Sequence, residues 1–328
     1  MTFTKRFLGI IVLCALVACQ GPSLTEVEKR REEWFNPTGQ LKVLTTIAMI
    51  QDLVAEIGGE YVDCISLITG QLDPHSYEMV KGDGEKLAFA DIVFYSGLEL
   101  EHGPSLKRYL EGSQKAVGIG DTIGHKMPDR ILHMDGAIDP HIWMDVSLWA
   151  EGIDPIVASL AAADPAHGLE FRRNGEALKA KLAALHAEMI EILAAIPSAQ
   201  RYLVTSHDAF NYFARAYLAE ESERLDGSWT SRFEAPDGLA PDGQMSATDI
   251  QDIVTHLQRH HILVIFSESN VSRDAIRKVK EASSAVGLEI RIAEPALYGD
   301  AMGPYGTPEG TYIGMMRHNA HMIAQNLQ

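Results

Sequence analysis

Three histidines and a late aspartate carry the side chains of a possible transition-metal site. They are His75, His141, His207 and Asp300. Imidazole nitrogens and a carboxylate suit a borderline divalent transition metal ion. His75 and His141 each follow an Asp-Pro pair, and the proline restricts the turn that presents the imidazole. The four residues lie an α/β unit or more apart along the chain, so only a fold could bring them together.

The other histidines are predicted to be ordinary surface residues or to form hydrogen bonds within the fold. His318 and His321 are three residues apart on one predicted helix, so they could bind metal as a pair. Glu268 ends a predicted strand and is either a cleft residue or a surface cap. The remaining histidines are His102, His125, His133, His167, His186, His256, His260 and His261.

Length and charge limit the class of protein. A chain of 328 residues is long for one core and sufficient for two lobes. The formal net charge is -17 at pH 7. Nucleic-acid partners call for a basic face, so this charge argues against them. An acidic protein is compatible with a role in handling cations.

The first residues have the pattern of a targeting segment. Lys5 and Arg6 precede a short apolar run over residues 7–16, which is too short for a stable membrane span. The run leads through Leu-Val-Ala into Cys19, a sequence that resembles the bacterial lipobox. We therefore predict a signal peptide over residues 1–18 and a lipidated tether over residues 19–39. The alternative is a plain signal peptide that happens to contain Cys19.

The three cysteines do not form a framework. Cys14 leaves with the predicted leader, and Cys19 is the predicted lipid attachment that anchors the protein to a membrane outside the cytoplasm. Cys64 remains alone in an apolar strand pattern, and a lone buried thiol needs no function. The sequence thus excludes a disulfide scaffold and a cysteine metal site.

Strand and helix patterns alternate along the chain, which predicts βαβ units and mainly parallel sheets. Predicted strands cover residues 42–46, 62–68, 91–95, 116–119, 201–205, 262–267 and 289–293. Predicted helices cover residues 25–34, 47–58, 82–90, 106–112, 145–163, 168–196, 209–217, 248–260, 272–286 and 311–326. Residues 224–244 are rich in glycine, proline and charge and are predicted to be a long loop.

The longest predicted helix, over residues 168–196, is longer than one small domain needs. We therefore predict an α/β fold of two lobes, each a mainly parallel sheet flanked by helices, joined by one long rigid helix. The predicted boundaries are 40–165 for the N-terminal lobe, 166–198 for the linking helix and 199–328 for the C-terminal lobe. The four candidate ligands follow strands or loops in both lobes, which predicts a site in the cleft between them.

At this point several ordered motifs resemble one family, the metal-specific solute-binding proteins of bacterial ABC transporters. That family takes up zinc, manganese or iron. The resemblance covers residues 42–327. It rests on Asp73-Pro74-His75-Ser76-Tyr77-Glu78, on residues 90–101, on Asp139-Pro140-His141-Ile142-Trp143-Met144-Asp145, on Ser206-His207-Asp208-Ala209-Phe210 and on residues 298–316.

The resemblance implies a capture protein and not an enzyme. His75 and His141 from the first lobe, with His207 and Asp300 from the second, would bind one divalent transition metal ion as cargo. A monomer would then deliver manganese, zinc or ferrous iron to the membrane permease of an ABC transporter. Because neutral histidines coordinate, loading is expected to weaken below about pH 6.5.

Two departures from the family pattern leave the choice of metal open. Zinc-specific members often carry a long histidine-rich loop between the first two ligands. Here the interval between His75 and His141 contains only His102, His125 and His133. Manganese-preferring members often have glutamate at the third ligand, and here it is His207. The loop over residues 224–244 is also longer than is usual.

Two other classes of function use the same features. A metal-dependent hydrolase could employ the same ligands, but it needs an open coordination position and a general base, for which Glu268 or Asp208 are the candidates. A surface adhesin or antigen is compatible with the lipid anchor, although no other sequence feature supports it.

Overall fold

The computed structural model describes residues 24–134, 136–236, 238–240 and 246–328. The predicted signal peptide, Cys14 and the lipidated Cys19 lie outside the described residues, as does part of the predicted loop over residues 224–244. All structural statements below concern the described residues.

The chain alternates strands and helices through most of its length. The strands are β1 (Leu41–Thr45), β2 (Val62–Ser66), β3 (Ile92–Tyr95), β4 (Ala116–Gly118), β5 (His133–Met134), β6 (Ala137–Ile138), β7 (Leu203–Val204), β8 (Phe233–Glu234), β9 (Val264–Glu268) and β10 (Arg291–Leu297). The α-helices are α1 (Leu24–Trp34), α2 (Ala48–Gly58), α3 (Asp83–Phe89), α4 (Pro104–Gly112), α5 (Ile119–Lys126), α6 (Val146–Trp149), α7 (Ile153–Ala163), α8 (Gly168–Ala194), α9 (Asn211–Phe213), α10 (Glu221–Asp226), α11 (Ala247–His260), α12 (Asp274–Ala285) and α13 (Tyr312–Leu327).

The first lobe is built on a four-stranded parallel sheet in the order β2-β1-β3-β4. In the central strand, Val43 pairs with Cys64 on one side and Ile92 on the other. Every residue of β2 is buried, since helices cover both faces of a parallel sheet. Cys64 is a buried free thiol in this strand, as the sequence predicts.

The second lobe contains two parallel strand pairs, β7 with β8 and β9 with β10. Within the described residues, the hairpin of β5 and β6 is the antiparallel exception. The predicted α/β class with parallel sheets flanked by helices is therefore confirmed. The second lobe departs from it in detail, because β7 has two residues where five were predicted.

The prediction of a long loop over residues 224–244 is wrong for its first part. There α10 continues to Asp226, and β8 pairs with β7. The charge of this segment predicts solvent exposure, but Arg232 is buried and donates to both carboxylate oxygens of Glu223. This pairing satisfies the guanidinium inside the lobe and ties β8 to α10.

Two predicted helices are interrupted. The stretch predicted over residues 145–163 divides into α6, a 3₁₀ turn and α7, and Asp145 is the cap, accepting hydrogen bonds from the backbone of Ser147 and Leu148. The helix predicted over residues 209–217 is short α9 followed by a π-helical turn over 214–218. The Tyr217 hydroxyl, from that turn, accepts a hydrogen bond from the backbone N–H of Val146.

The long helix α8 spans 27 residues, about 40 Å. Its buried stripe includes Leu178, Leu182, Leu185 and Met189, as the apolar periodicity predicts. Helices α2 and α7 of the first lobe and α13 of the second pack against it. The largest hydrophobic cluster therefore continues from one lobe through α8 into the other. The exact domain boundaries stay predictions.

Candidate metal centre

The fold brings His75, His141, His207 and Asp300 together. One possible ligand atom from each lies within 4.8 Å of the other three. The four side chains are almost completely withdrawn from solvent, with exposures of 2% for His75, 4% for Asp300 and 0% for the other two. The sequence prediction that these four residues meet in space is thus met by the structure.

Each lobe contributes two of the four residues. His75 lies in the loop between β2 and α3, and His141 follows the β5–β6 hairpin at the start of a 3₁₀ turn. His207 follows β7, and Asp300 follows β10. Carboxyl ends of parallel strands meet at one edge of a sheet, which explains why residues distant in sequence can converge.

The distances among the four groups leave room for one metal ion. His75 Nε2 lies 3.2 Å from His141 Nε2. Asp300 Oδ1 lies 3.3 Å from His141 Nε2, and Asp300 Oδ2 lies 3.1 Å from His207 Nε2 and 3.7 Å from His75 Nε2. Ligand atoms about 2.1 Å from a common centre in a tetrahedron are about 3.4 Å apart. A first-row metal ion therefore fits between these atoms.

His141 is held by a buried carboxylate on the far side of its ring. Asp139 Oδ1 lies 2.7 Å from His141 Nδ1 and also accepts the backbone N–H of His141 at 2.9 Å. Asn211 Nδ2 donates to Asp139 Oδ2 at 3.0 Å, and the Tyr212 hydroxyl donates to the Asp139 carbonyl at 3.0 Å. These contacts direct His141 Nε2 towards the centre.

His207 has a carboxylate neighbour of its own, Glu268. Glu268 Oε2 lies 2.7 Å from His207 Nδ1, while Oε1 accepts the backbone N–H groups of Ser206 and His207 at 3.0 and 2.9 Å. Gly299 passes so close that a Cβ there would lie 2.2 Å from Glu268 Oε2 and 3.1 Å from the His207 ring. A side chain at position 299 would therefore push this pair apart.

His75 lacks such a partner. Its backbone N–H donates to Asp73 Oδ1 at 2.9 Å, but no described residue forms a hydrogen bond with its Nδ1. The neighbouring ring is that of His102, with centroids 5.8 Å apart. The three imidazoles thus differ in how firmly they are held.

The electrostatics differ in the same way. Burial lowers the pKa of His75 to about 3, against the attraction of Asp300. Burial also acts to lower the pKa of His141, but Asp139 and Asp300 outweigh it and raise that pKa to about 9. For His207, burial is likewise outweighed by Glu268 and Asp300, and the pKa lies well above its usual value. Burial acts to raise the pKa of Asp300, yet the two charged imidazoles hold it well below its ordinary range.

The donor set matches the expected cargo. Three imidazole nitrogens and a carboxylate oxygen suit zinc, manganese or ferrous iron, and two further buried carboxylates stand behind the histidines. His207 Nε2 is buried and forms no hydrogen bond with any described residue, although it lies 3.1 Å from Asp300. A divalent cation would satisfy this nitrogen and balance the buried negative charge.

Other sequence candidates lie outside the quartet. His318 Nε2 is 2.9 Å from the Ala296 carbonyl, and His318 and His321 are not part of the described metal-ligand cluster. Glu268 lies beside the metal centre, as its interpretation as a cleft residue predicts, and it contacts His207.

The sequence reasoning missed the supporting roles of Asp139, Asn211 and Gly299. Asp139 was visible in the Asp-Pro-His motif but was interpreted only as part of a turn. Nothing in the sequence pairs Asn211 with it, because that contact joins residues from different lobes.

Comparison with known proteins gives a consistent result. Residues 43–326 match the family model described as "Zinc-uptake complex component A periplasmic" (ZnuA). The chain is 37% identical over 285 residues to the metal-binding protein YtgA of Chlamydia trachomatis, covering 87% of this chain and 85% of the relative. It is 36% identical to the manganese-binding lipoprotein MntA of Bacillus subtilis, covering 88% and 90%.

Solved structures agree in fold. The crystal structure of Fe(III)-bound YtgA from Chlamydia trachomatis superposes with a TM-score of 0.83 at 36% identity, covering 88% of this chain and 98% of that chain. The periplasmic zinc-binding protein TroA of Treponema pallidum gives a TM-score of 0.79 at 33% identity, covering 88% and 99%.

Proposed function

This chain belongs to the ZnuA family of periplasmic metal-uptake components, and from that premise we propose that His75, His141, His207 and Asp300 bind its cargo, one divalent transition metal ion. The protein is a metal-binding solute-binding component of an ABC transport system, as its relatives are. The observation that carries the ligand assignment is the approach of four buried donor atoms to within 4.8 Å of one another.

Capture, and not catalysis, is the chemistry that this arrangement supports. The site gathers four buried protein donors around one point, whereas a catalytic site keeps one position open for water. Glu268 is engaged by His207 and two backbone N–H groups. Asp208 shares the Asn211 amide with Asp139, behind the His141 ring. Both candidate general bases of the hydrolase hypothesis therefore have orienting contacts.

Loading and release would depend on the relation between the lobes. Across the interface, Trp143 Nε1 donates to the Gly299 carbonyl at 3.0 Å, and the Tyr312 hydroxyl donates to the Trp143 carbonyl at 2.6 Å. Because ligands come from both lobes, a small shift between them separates His141 from Asp300 and weakens the site. Docking on the permease would cause that shift and release the ion.

The protein acts outside the cytoplasm, in keeping with its periplasmic and lipoprotein relatives. We further propose that the protein is a monomer and that a lipid on Cys19 holds it on the membrane. Incorporation of labelled fatty acid into the parent, and its loss in Cys19→Ala, would test the anchor.

The identity of the cargo needs a direct measurement. The relatives named above are described as manganese-binding, zinc-binding and Fe(III)-bound. Affinity at nitrogen and oxygen sites favours zinc over manganese and iron whatever the physiological cargo. Elemental analysis of protein purified from its native compartment, followed by competition among zinc, manganese and ferrous iron, distinguishes the three.

The ligand assignment is tested by metal titration of His75→Ala and His207→Ala. Each variant should lose more than about 100-fold in affinity, since even residues that support a ligand contribute 10–100-fold. His133→Ala is the matched control, because His133 is exposed in the same lobe as His75. Folded variants that bind metal as tightly as the parent would refute the assignment.

A further inference from the structure

The metal centre is closed to solvent, which raises the question of how an ion reaches it. All four proposed ligands are at least 96% buried. An entering ion must therefore pass groups that are partly exposed. Within the described residues, His102 is the histidine outside the quartet whose ring contacts a ligand ring, at 5.8 Å from that of His75. His102 is half-buried, so part of it is accessible to solvent while its ring packs against that of His75.

The loop that carries His102 is held in an unusual conformation. Gly97, Leu98 and Glu99 have φ angles of 76°, 51° and 65°, and left-handed backbone is unfavourable for leucine and glutamate. Buried Glu101 stabilises the loop by accepting hydrogen bonds from the Thr46 hydroxyl and from the backbone. The result is a fixed position for the residue that follows, His102.

Residues 103–105 pack against the segment that follows His75. Gly103 lies so close to Tyr77 that a Cβ at position 103 would be 2.1 Å from the Tyr77 carbonyl oxygen. The Met79 backbone N–H donates to Ser105 Oγ at 2.8 Å, and the Ser105 backbone N–H donates to a Glu78 carboxylate oxygen at 3.1 Å. The His75 segment is therefore docked on the rigid His102 segment.

His75 is also the ligand with the freest ring. No buried carboxylate holds its Nδ1, in contrast to His141 with Asp139 and His207 with Glu268. The His102 ring likewise forms no hydrogen bond with any described residue. Two imidazoles without fixed partners thus lie side by side at the edge of the centre.

We propose that His102 is a transfer ligand, which binds the metal ion first and passes it to His75. The proposal rests on the function proposed above and adds a route to it. The ion exchanges a bound water for the His102 nitrogen, then binds His75, and is finally held by His141, His207 and Asp300 as the His102 bond breaks. Each metal–ligand bond that forms replaces a metal-bound water, any proton on a coordinating imidazole nitrogen passes to water, and release follows the same steps in reverse.

Stopped-flow kinetics with Zn²⁺ test the proposal. Loading of the metal-free protein and release into excess chelator are measured for the parent, His102→Ala and His102→Cys, with His133→Ala as the exposed control. A transfer ligand lowers the barrier in both directions, so His102→Ala should slow loading and release by about tenfold each. The dissociation constant should stay within about threefold of the parent. Cysteine can also bind zinc, so His102→Cys should restore both rates.

Each other outcome overturns the proposal. Parent rates in His102→Ala would show that the ion takes another route. A weaker equilibrium affinity with unchanged loading would make His102 a permanent ligand. Slow rates that His102→Cys does not restore would assign the effect to packing of the loop. If the parent itself does not bind Zn²⁺ tightly, the proposed function fails as well. If the parent binds Zn²⁺ tightly but the His102 variants do not behave as expected, only the proposed route fails.

Discussion

The two sides of the metal centre are built differently. On one side, His141 and His207 are each held by a buried carboxylate 2.7 Å from Nδ1. On the other, His75 lies in a loop and its Nδ1 has no hydrogen-bond partner among the described residues. The first side is preorganised to receive a cation, and the second can adjust as the cation enters. A site that must release its cargo benefits from having both.

The largest expected effect is on the free energy of unfolding, and it differs between the two sides of the metal centre. In the metal-free protein, His207→Ala leaves Glu268 buried without its partner, which should lower the free energy of unfolding by about 3 kcal/mol. His75→Ala breaks no pair with an orienting carboxylate and should lower it by less than His207→Ala does. Denaturant unfolding in the presence of chelator measures both.

A smaller effect concerns the carboxylates themselves. Glu268→Gln and Asp139→Asn keep the shape of the side chain but remove the charge behind each imidazole, so each should weaken metal binding by about 10–100-fold. Asp73→Asn is the matched control, since Asp73 contacts the His75 backbone and not its ring. Competition titration gives the constants, and equal losses in all three variants would contradict the difference between the sides.

The smallest effect extends the comparison to a half-buried carboxylate with no histidine partner. Asp52 on α2 accepts the Tyr312 backbone N–H at 2.9 Å. Burial raises its pKa from 3.8 to about 6, with Glu56 adding to the shift and Lys181 opposing it. The folded protein therefore binds more protons than the unfolded chain between these values, and this group's contribution to stability falls as pH rises from about 4 to about 6.

Asp52→Asn keeps an acceptor for Tyr312 and removes the charge. The variant should be about 1–2 kcal/mol more stable than the parent above pH 7, a figure reduced for the partial exposure of Asp52, with the difference vanishing towards pH 4. Urea unfolding of both proteins across this range, with chelator present, measures the difference. Parallel pH profiles would refute the role of Asp52.

The sequence allowed the convergence of the four candidate residues to be predicted because the three histidines have local signals. Asp-Pro before His75 and His141, and the end of a strand before His207, restrict the backbone near the residue itself. The orienting contacts have no such signal. Glu268 meets His207 only because β7 and β9 end at the same place, and that requires the tertiary fold.

The fold shows the same division. The first lobe was predicted well, since its strands are regular and mostly buried. The second was predicted less well, because short β7 pairs with β8 in a segment whose charges resemble a loop. Buried Arg232 pairs there with half-buried Glu223, and a pair between side chains cannot be read from composition.

The long helix α8 has a consequence for cooperativity. Two-lobed proteins joined by flexible strands can unfold in two steps, but here one apolar cluster passes from the first lobe through α8 to α13. Loss of either lobe would expose the stripe that includes Leu182 and Leu185 to water. We therefore expect the two lobes to unfold together, so that the free energy of metal binding in the cleft stabilises the whole chain as one unit.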